Sequence, residues 1–152
     1  MSETNEVQIY SDGGCVPNPG LGAWASILVS GTHEKALSGV EPDSTNNRME
    51  LRAALAGLQA LKRPCRVVLY TDSQYMQRGI TEWIHKWRKN GWQTVKKEPV
   101  ANADLWRELW DALQTHEVRW QWVRGHAGNH YNERCDQLTH VARQTYLQTR
   151  RG

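Results

Sequence analysis

The chain has few cysteines, no long apolar run, no internal repeat and no low-complexity linker, and each lack removes a class of protein. Cys15, Cys65 and Cys135 are odd in number and form no CxxC pair. A disulfide framework is therefore not expected, and a reducing cytosol is the expected compartment. No apolar stretch approaches the ~20 residues of a membrane span. The amino terminus, MSETNEVQ, lacks the basic-then-apolar pattern of a secretion signal. The sequence thus predicts a cytoplasmic protein that makes no use of a membrane. With no linker to divide them, residues 1–152 are expected to form one domain, large enough to bury roughly 70% of its unfolded surface without staples.

Acidic residues are also missing from one particular segment. The formal net charge is only +3, yet residues 86–97 carry Lys86, Arg88, Lys89, Lys96 and Lys97 without a single Asp or Glu. The rest of the chain is slightly acidic. Basicity confined to one segment is the electrostatic footprint of a polyanion partner.

Apolar patterning gives the order of elements. Val7–Asp12, Ala23–Ser30 and Glu34–Val40 are separated by turn-rich residues and predict consecutive antiparallel strands. A helix starts near Asn46 or Asn47, either a plausible N-cap, keeps helical spacing through Met49, Ala53, Leu55, Leu58 and Leu61, and closes at Pro64. Strand Arg66–Thr71 follows. Helices are then expected over Ser73–Ile80, over Thr81–Asn90 with Thr81 as cap and Gly91 as stop, and over Asp104–Thr115. A last strand, Val118–Val123, and a helix from Asn132 to about Gln148 complete the chain. Strands, a crossover helix, then further strands and helices predict a mixed α/β sheet with helices packed on it.

Two of these strands end in aspartate: Val7-Gln8-Ile9-Tyr10-Ser11-Asp12, before Gly13-Gly14, and Val67-Val68-Leu69-Tyr70-Thr71-Asp72. Carboxylates delivered at matching strand ends repel unless a cation lies between them, and hard divalent cations prefer oxygen ligands. Glu50 and Asp136 fall in what reads as the first turns of their helices. There an acid is also favoured simply by the helix dipole, by a few tenths of a kcal/mol.

Four segments carry a resemblance that unites these acids. Tyr10-Ser11-Asp12-Gly13-Gly14-Cys15, Thr45-Asn46-Asn47-Arg48-Met49-Glu50-Leu51, Thr71-Asp72-Ser73-Gln74-Tyr75 and Gly125-His126-Ala127-Gly128 with Asn132-Glu133-Arg134-Cys135-Asp136 resemble, in order, bacterial type I ribonuclease H. The resemblance spans nearly the whole chain. It implies a mixed five-stranded sheet, three strands antiparallel and then parallel strands, with helices on both faces. It also implies an endonuclease that hydrolyses the RNA strand of RNA/DNA hybrids, leaving 5′-phosphate and 3′-hydroxyl ends. Asp12, Glu50, Asp72 and Asp136 would be the catalytic and metal-binding acids, holding two Mg²⁺ ions with Mn²⁺ as an admissible substitute. Two such ions serve the attacking and leaving oxygens of an in-line displacement. His126 would assist proton transfer or product departure. A metal set of His126, His130 and Cys135 is weaker, because the glycine-flanked loop fixes no ligand spacing.

The same resemblance identifies residues 81–98 as a basic handle for the DNA strand. Lys86, Arg88 and Lys89 would lie near its phosphates and Trp83 beside its backbone, while Trp87 and Trp92 are expected to pack internally. Cys15 (through its backbone), Asn18, Asn46, Asn47 and Gln74 would read the RNA 2′-hydroxyls in the shallow minor groove. Thr45 and Asn102 would hold a DNA phosphate. Asp43 departs from the pattern, since relatives often carry arginine there. The chain is expected to work as a monomer. A DNA-acting nuclease of the same fold and a non-catalytic hybrid-binding module are the alternatives. Neither accounts for the handle together with a complete set of acids.

Overall fold

The computed structural model describes residues 6–124 and 130–151. In chain order they form β1 (Glu6–Val16), β2 (Gly20–Ser30), β3 (His33–Ser44), α1 (Asn46–Gln59), β4 (Arg66–Thr71) and α2 (Gln74–Arg78). A π-helical turn, Gly79–Trp83, carries α2 into α3 (Ile84–Lys89), and α4 (Ala103–Thr115), β5 (Glu117–Trp122) and α5 (His130–Arg151) follow. The strands make one mixed sheet in the order β3-β2-β1-β4-β5. β1 pairs antiparallel with β2 and β2 with β3, whereas β1–β4 and β4–β5 are parallel. This is the expected architecture.

Successive strand residues face opposite sides of a sheet, so a central strand with consecutive buried residues, as at Ile9-Tyr10-Ser11, needs cover on both. On β1, Ile9 joins a core with Leu51, Leu55, Leu58, Leu69, Leu105, Trp106 and Leu109, contributed mainly by α1 and α4. Its neighbour Tyr10 joins a second core with Ala25, Ile27, Val29 and Cys135, covered by α5. Each fully buried Leu contributes about 1.5–3 kcal/mol. The helices are therefore held by their apolar stripes, one set on each face.

Several local expectations are corrected. β1 does not end at Asp12. It stays paired with β2 as far as Val16–Leu21, so Gly13 and Gly14 are extended and form no turn. Gly13 serves a close approach instead: a Cβ there would run into the Met49 carbonyl and come within 2.9 Å of the Glu50 nitrogen. Thr45 caps α1 in place of Asn46 or Asn47, its Oγ1 accepting from the Arg48 N–H at 3.2 Å. Glu50 consequently lies beyond the first turn. α5 starts at His130, with Glu133 its first-turn acid, and Asp136 sits a turn further in. The helix dipole, which falls off within the first turn, accounts for neither acid.

The predicted break at Thr81 is absent. Its hydroxyl donates to the Gln77 carbonyl at 2.8 Å and caps nothing, while Ser73 caps α2 by accepting from the Met76 N–H at 3.0 Å. Strands β2, β3 and β5 are also longer than, or offset from, the runs Ala23–Ser30, Glu34–Val40 and Val118–Val123, because ladder pairing continues past the apolar residues. The π turn lies where α2 crosses α4, and Gly79 is buried there.

A Cβ on Gly79 would run into the six-membered ring of Trp106, which is fully buried. Gly79→Ala is therefore expected to destabilise the fold by about 1–3 kcal/mol, the cost of overpacking, even though alanine is the better helix former. Urea midpoints of the two chains measure it, and equal midpoints would show that the α2–α4 crossing can relax.

Candidate active site and nucleic-acid interface

The register of β1 against β4 is constant from Glu6–Arg66 to Tyr10–Tyr70. Continued by two residues, past the end of β4 at Thr71, it would set Asp12 level with Asp72; paired strands lie ~4.7–4.9 Å apart. Tyr10 and Tyr70, two residues earlier, stack with centroids 4.5 Å apart and planes within 10°, so both pairs share the α5 side of the sheet. α5 is fastened there by several contacts, the stacking of Tyr131 on Tyr10 at 4.6 Å among them. The Cys135 thiol donates to the Tyr10 carbonyl at 3.3 Å, Arg134 donates to Glu34 at 2.6 Å, and the Arg143 guanidinium donates to the Gly14 carbonyl at 3.1 Å.

Burial pushes the Cys135 thiol up to about 12, and the charge of Asp12 adds to the shift. Asp12 thus faces α5, the helix that carries Asp136. Glu50 arrives from the other side on α1, whose backbone rests on bare Gly13. All four acids are half-buried.

Among the described residues, no three His, Cys, Asp or Glu side chains stand close enough together to hold a metal ion by themselves. The chemistry of the donor set nonetheless fits a hard divalent cation. Its four members are carboxylates from β1, α1, the end of β4 and α5, with no thiolate, and Mg²⁺ uses few carboxylates, several waters and substrate phosphate. A Cys135-based set does not fit, because that thiol is fully buried and held protonated.

The family model described as RNase H matches residues 4–144. The chain belongs to the RNase H family. It is 58% identical over 143 residues to a "Ribonuclease H" of Granulibacter bethesdensis, covering 94% of this chain and 95% of that protein. It is 57% identical over 143 residues to a "Ribonuclease H" of Ralstonia nicotianae, covering 91% and 95%. Among solved structures, LC9-RNase H1, described as a type 1 RNase H with the type 2 active-site motif, superposes with a TM-score of 0.80. The match has 32% identity and covers 93% of this chain and 74% of that one. RNase H enzymes generally depend on divalent metal, in keeping with the all-oxygen donor set.

Beside the acids of this RNase H fold, the structure gathers three of the expected RNA-strand contacts. Asn46 Oδ1 accepts from the Cys15 N–H at 2.7 Å, and Asn18 Oδ1 accepts from the Asn46 N–H at 3.0 Å. The Cys15 N–H is thereby engaged, while Asn18, Asn46 and Asn47 are exposed. Gln74 opens α2, next to Asp72. His126 lies outside the described residues.

Two of the expected DNA-strand contacts, Asn102 and Trp83, meet at Tyr75. Its hydroxyl accepts from Asn102 Nδ2 at 3.2 Å and from Trp106 Nε1 at 3.0 Å, and its ring lies 5.8 Å from that of Trp83. Asn102 is held left-handed, at φ 61°, just before α4. Trp87 and Trp92 pack on the main core, whereas Trp83 leans on Trp87 under the Arg78 guanidinium. Lys86, Arg88, Lys89, Lys96 and Lys97 line the handle, and Lys86, Lys89, Lys96 and Lys97 are exposed. Arg88 lies over the Trp110 ring, 4.9 Å from its centroid.

Sequence reasoning passed over Arg48. It donates to Asp104 through both terminal nitrogens, at 3.0 and 2.7 Å, and to Glu41 through Nε at 3.2 Å. The motif Asn46-Asn47-Arg48-Met49-Glu50 contained it, but nothing in the sequence pointed to acids 7 and 56 positions away.

Hydrogen bonding from Arg48, and then its charge, hold Asp104 below its ordinary value of 3.8. A carboxyl depressed in the folded state contributes stability above its unfolded pKa and loses it as pH falls through the folded one. The stability of the chain is therefore expected to fall below about pH 4 more steeply than that of Asp104→Asn. Urea midpoints between about pH 5 and pH 2 measure the difference, and parallel curves would exclude the pair as a source of acid sensitivity.

Proposed function

We propose that the chain is an endonuclease that hydrolyses the RNA strand of RNA/DNA hybrids, leaving 5′-phosphate and 3′-hydroxyl ends. It would act as one domain over residues 1–152, with 81–98 as its basic handle. The reading is supported by identities of 57–58% to proteins named Ribonuclease H, with carboxylates on β1, on α1, just past β4 and on α5 as its candidate acids. LC11-RNase H1, of the same fold at 21% identity and a TM-score of 0.67, was solved in complex with an RNA/DNA hybrid.

In this reading Asp12, Glu50, Asp72 and Asp136 hold two Mg²⁺ ions. Bound there, the ions would supply an activated water and relief of charge on the leaving oxygen. The chain's own residues do the aligning. Asp12 and Asp72, rigid on paired strands, fix where the scissile phosphate can sit. Asn18, Asn46, Asn47 and Gln74 offer short amides to the 2′-hydroxyls that DNA lacks. Thr45 and Asn102 receive a phosphate of the opposite strand, and Asp43, exposed beside Thr45, opposes that contact electrostatically. His126 is assigned the proton transfer at product departure. A non-catalytic binding module would not need the two level aspartates.

With labelled RNA/DNA, RNA/RNA and DNA/DNA duplexes of one sequence, Mg²⁺ is expected to support cleavage of the hybrid's RNA strand alone. Asp12→Asn should abolish that cleavage while leaving hybrid binding measurable. Substantial Mg²⁺-dependent activity in Asp12→Asn would refute the metal assignment, and cleavage of the all-DNA duplex would favour the DNA-acting alternative.

The handle has its own signature. Removing one cation–phosphate pairing lowers the slope of log affinity against log salt by roughly 0.7–0.9. Replacing Lys86, Arg88 and Lys89 by Ala should flatten the slope by up to three such steps, with the smallest share from Arg88, which Trp110 already engages. An unchanged slope would mean that these charges only face solvent.

A further inference from the structure

One pocket next to the acid edge shares Asp72 and Gln74 with the mechanism above, which gives its remaining lining no role. It has a volume of about 490 Å³ and is lined by Asp72, Gln74, Gln77, Trp122, Val123 and Arg124, within the ~300–1,000 Å³ of ligand sites. Its walls are rigid. Trp122 ends β5 stacked on Trp120, centroids 5.1 Å apart and planes within 5°, and the Val123 N–H continues the ladder by donating to the Thr71 carbonyl at 3.0 Å. Its polar groups are mostly donors looking for acceptors. Neither the Gln74 nor the Gln77 carboxamide is bonded to another described residue, and exposed Arg124 forms no ion pair with one. A guanidinium and two carboxamides around an indole suit a phosphodiester with its ribose, and a guanidinium matches phosphate geometry in a planar fork.

We infer that this pocket is a further subsite for the RNA strand, taking the phosphate and ribose of a nucleotide flanking the scissile bond, with Arg124 on the phosphate and Gln77 on the sugar. The inference rests on the hydrolytic reading above and extends it. Because Asp72 lines both the pocket and the acid edge, an occupant of the pocket lies next to the cleaved phosphate on the same strand. Residues assigned to the opposite strand, Asn102 and Trp83, instead meet at Tyr75, which does not line the pocket. Arg124 and Gln77 would thus fix the register of the RNA strand and not perform the chemistry.

The experiment is steady-state cleavage of a long hybrid by the unaltered chain, Arg124→Ala, Arg124→Lys and Gln77→Ala. Arg124→Ala is expected to raise KM about tenfold or more, the scale of a hydrogen bond to a charged group, at nearly unchanged kcat. Arg124→Lys should restore much of the affinity, since a point charge still attracts phosphate, and Gln77→Ala should raise KM less. Single methylphosphonates walked along the RNA strand then locate the contact. Neutralising one phosphate should raise KM in the unaltered chain and add nothing in Arg124→Ala. Equal KM values, a fall in kcat alone, or penalties that add at every phosphate would overturn the subsite. Failure of the unaltered chain to cleave the hybrid would instead overturn the activity on which it rests.

Discussion

The site depends on the parallel pairing of β1 with β4. Side chains alternate along a strand, so a one-residue slip in that register would send one of the two aspartates to the opposite face of the sheet. Parallel strands also need a crossover, and here the crossover contains α1, which carries Glu50. The connection that makes the pairing possible thus delivers a third carboxylate. Gly13 completes the arrangement, because only a residue without a Cβ lets the Met49–Glu50 backbone settle on β1 at the level of Asp12. The fourth acid comes from α5, drawn against the sheet by Cys135, Arg134 and Arg143.

Concentrating carboxylates at one edge is electrostatically unfavourable, and the structure limits the problem in two ways. Arg143 brings a nearly buried guanidinium to the Gly14 carbonyl, two residues along the strand from Asp12. Glu41 and Asp104 are neutralised on site by Arg48, with Arg52 also reaching Glu41 at 3.5 Å. Those ion pairs remove charge that would otherwise add to that of the four acids a cation would need. The exposed lysines of the handle stand on a separate segment beyond the π turn, where they attract a polyanion without saturating those acids.

Much of this was legible in the sequence because it rests on short-range patterns. Apolar runs of five or six residues marked β1 and β4, and motif order tied Asp12, Glu50, Asp72 and Asp136 together. Less legible were features fixed by tertiary contact. The extension of β1 past Asp12 follows from its pairing with β2, and Gly13-Gly14 carries the same letters whether it turns or stays flat. The helix break assigned to Thr81 came from its capping propensity, which yielded to continuous packing of α2 and α3 on Trp106. The choice of Thr45 over Asn46 as cap turned on backbone conformation, since Thr45, Asn46 and Asn47 can all accept the same bond. Tyr75 and Arg143 gave no signal because their partners lie 27 to 129 positions away.

Tyr75 joins the two halves of the interface. Ser73 caps α2 immediately after Asp72, and two residues later the Tyr75 ring packs against Trp83 and Trp106 while its hydroxyl holds Asn102. Gln74, assigned to the RNA strand, and Tyr75, which holds the DNA-strand residue Asn102, are therefore neighbours on one short helix with a buried anchor at Met76. No flexible linker separates them. The distance between the acid edge and the DNA contacts is set by covalent structure and core packing, so a duplex must match that spacing before its phosphate reaches the carboxylates. Groove width differs between hybrid and B-form duplexes. In the proposed reading, a fixed spacing would convert that difference of shape into selectivity, leaving the amides of Asn18, Asn46 and Gln74 to decide which of the two strands is RNA.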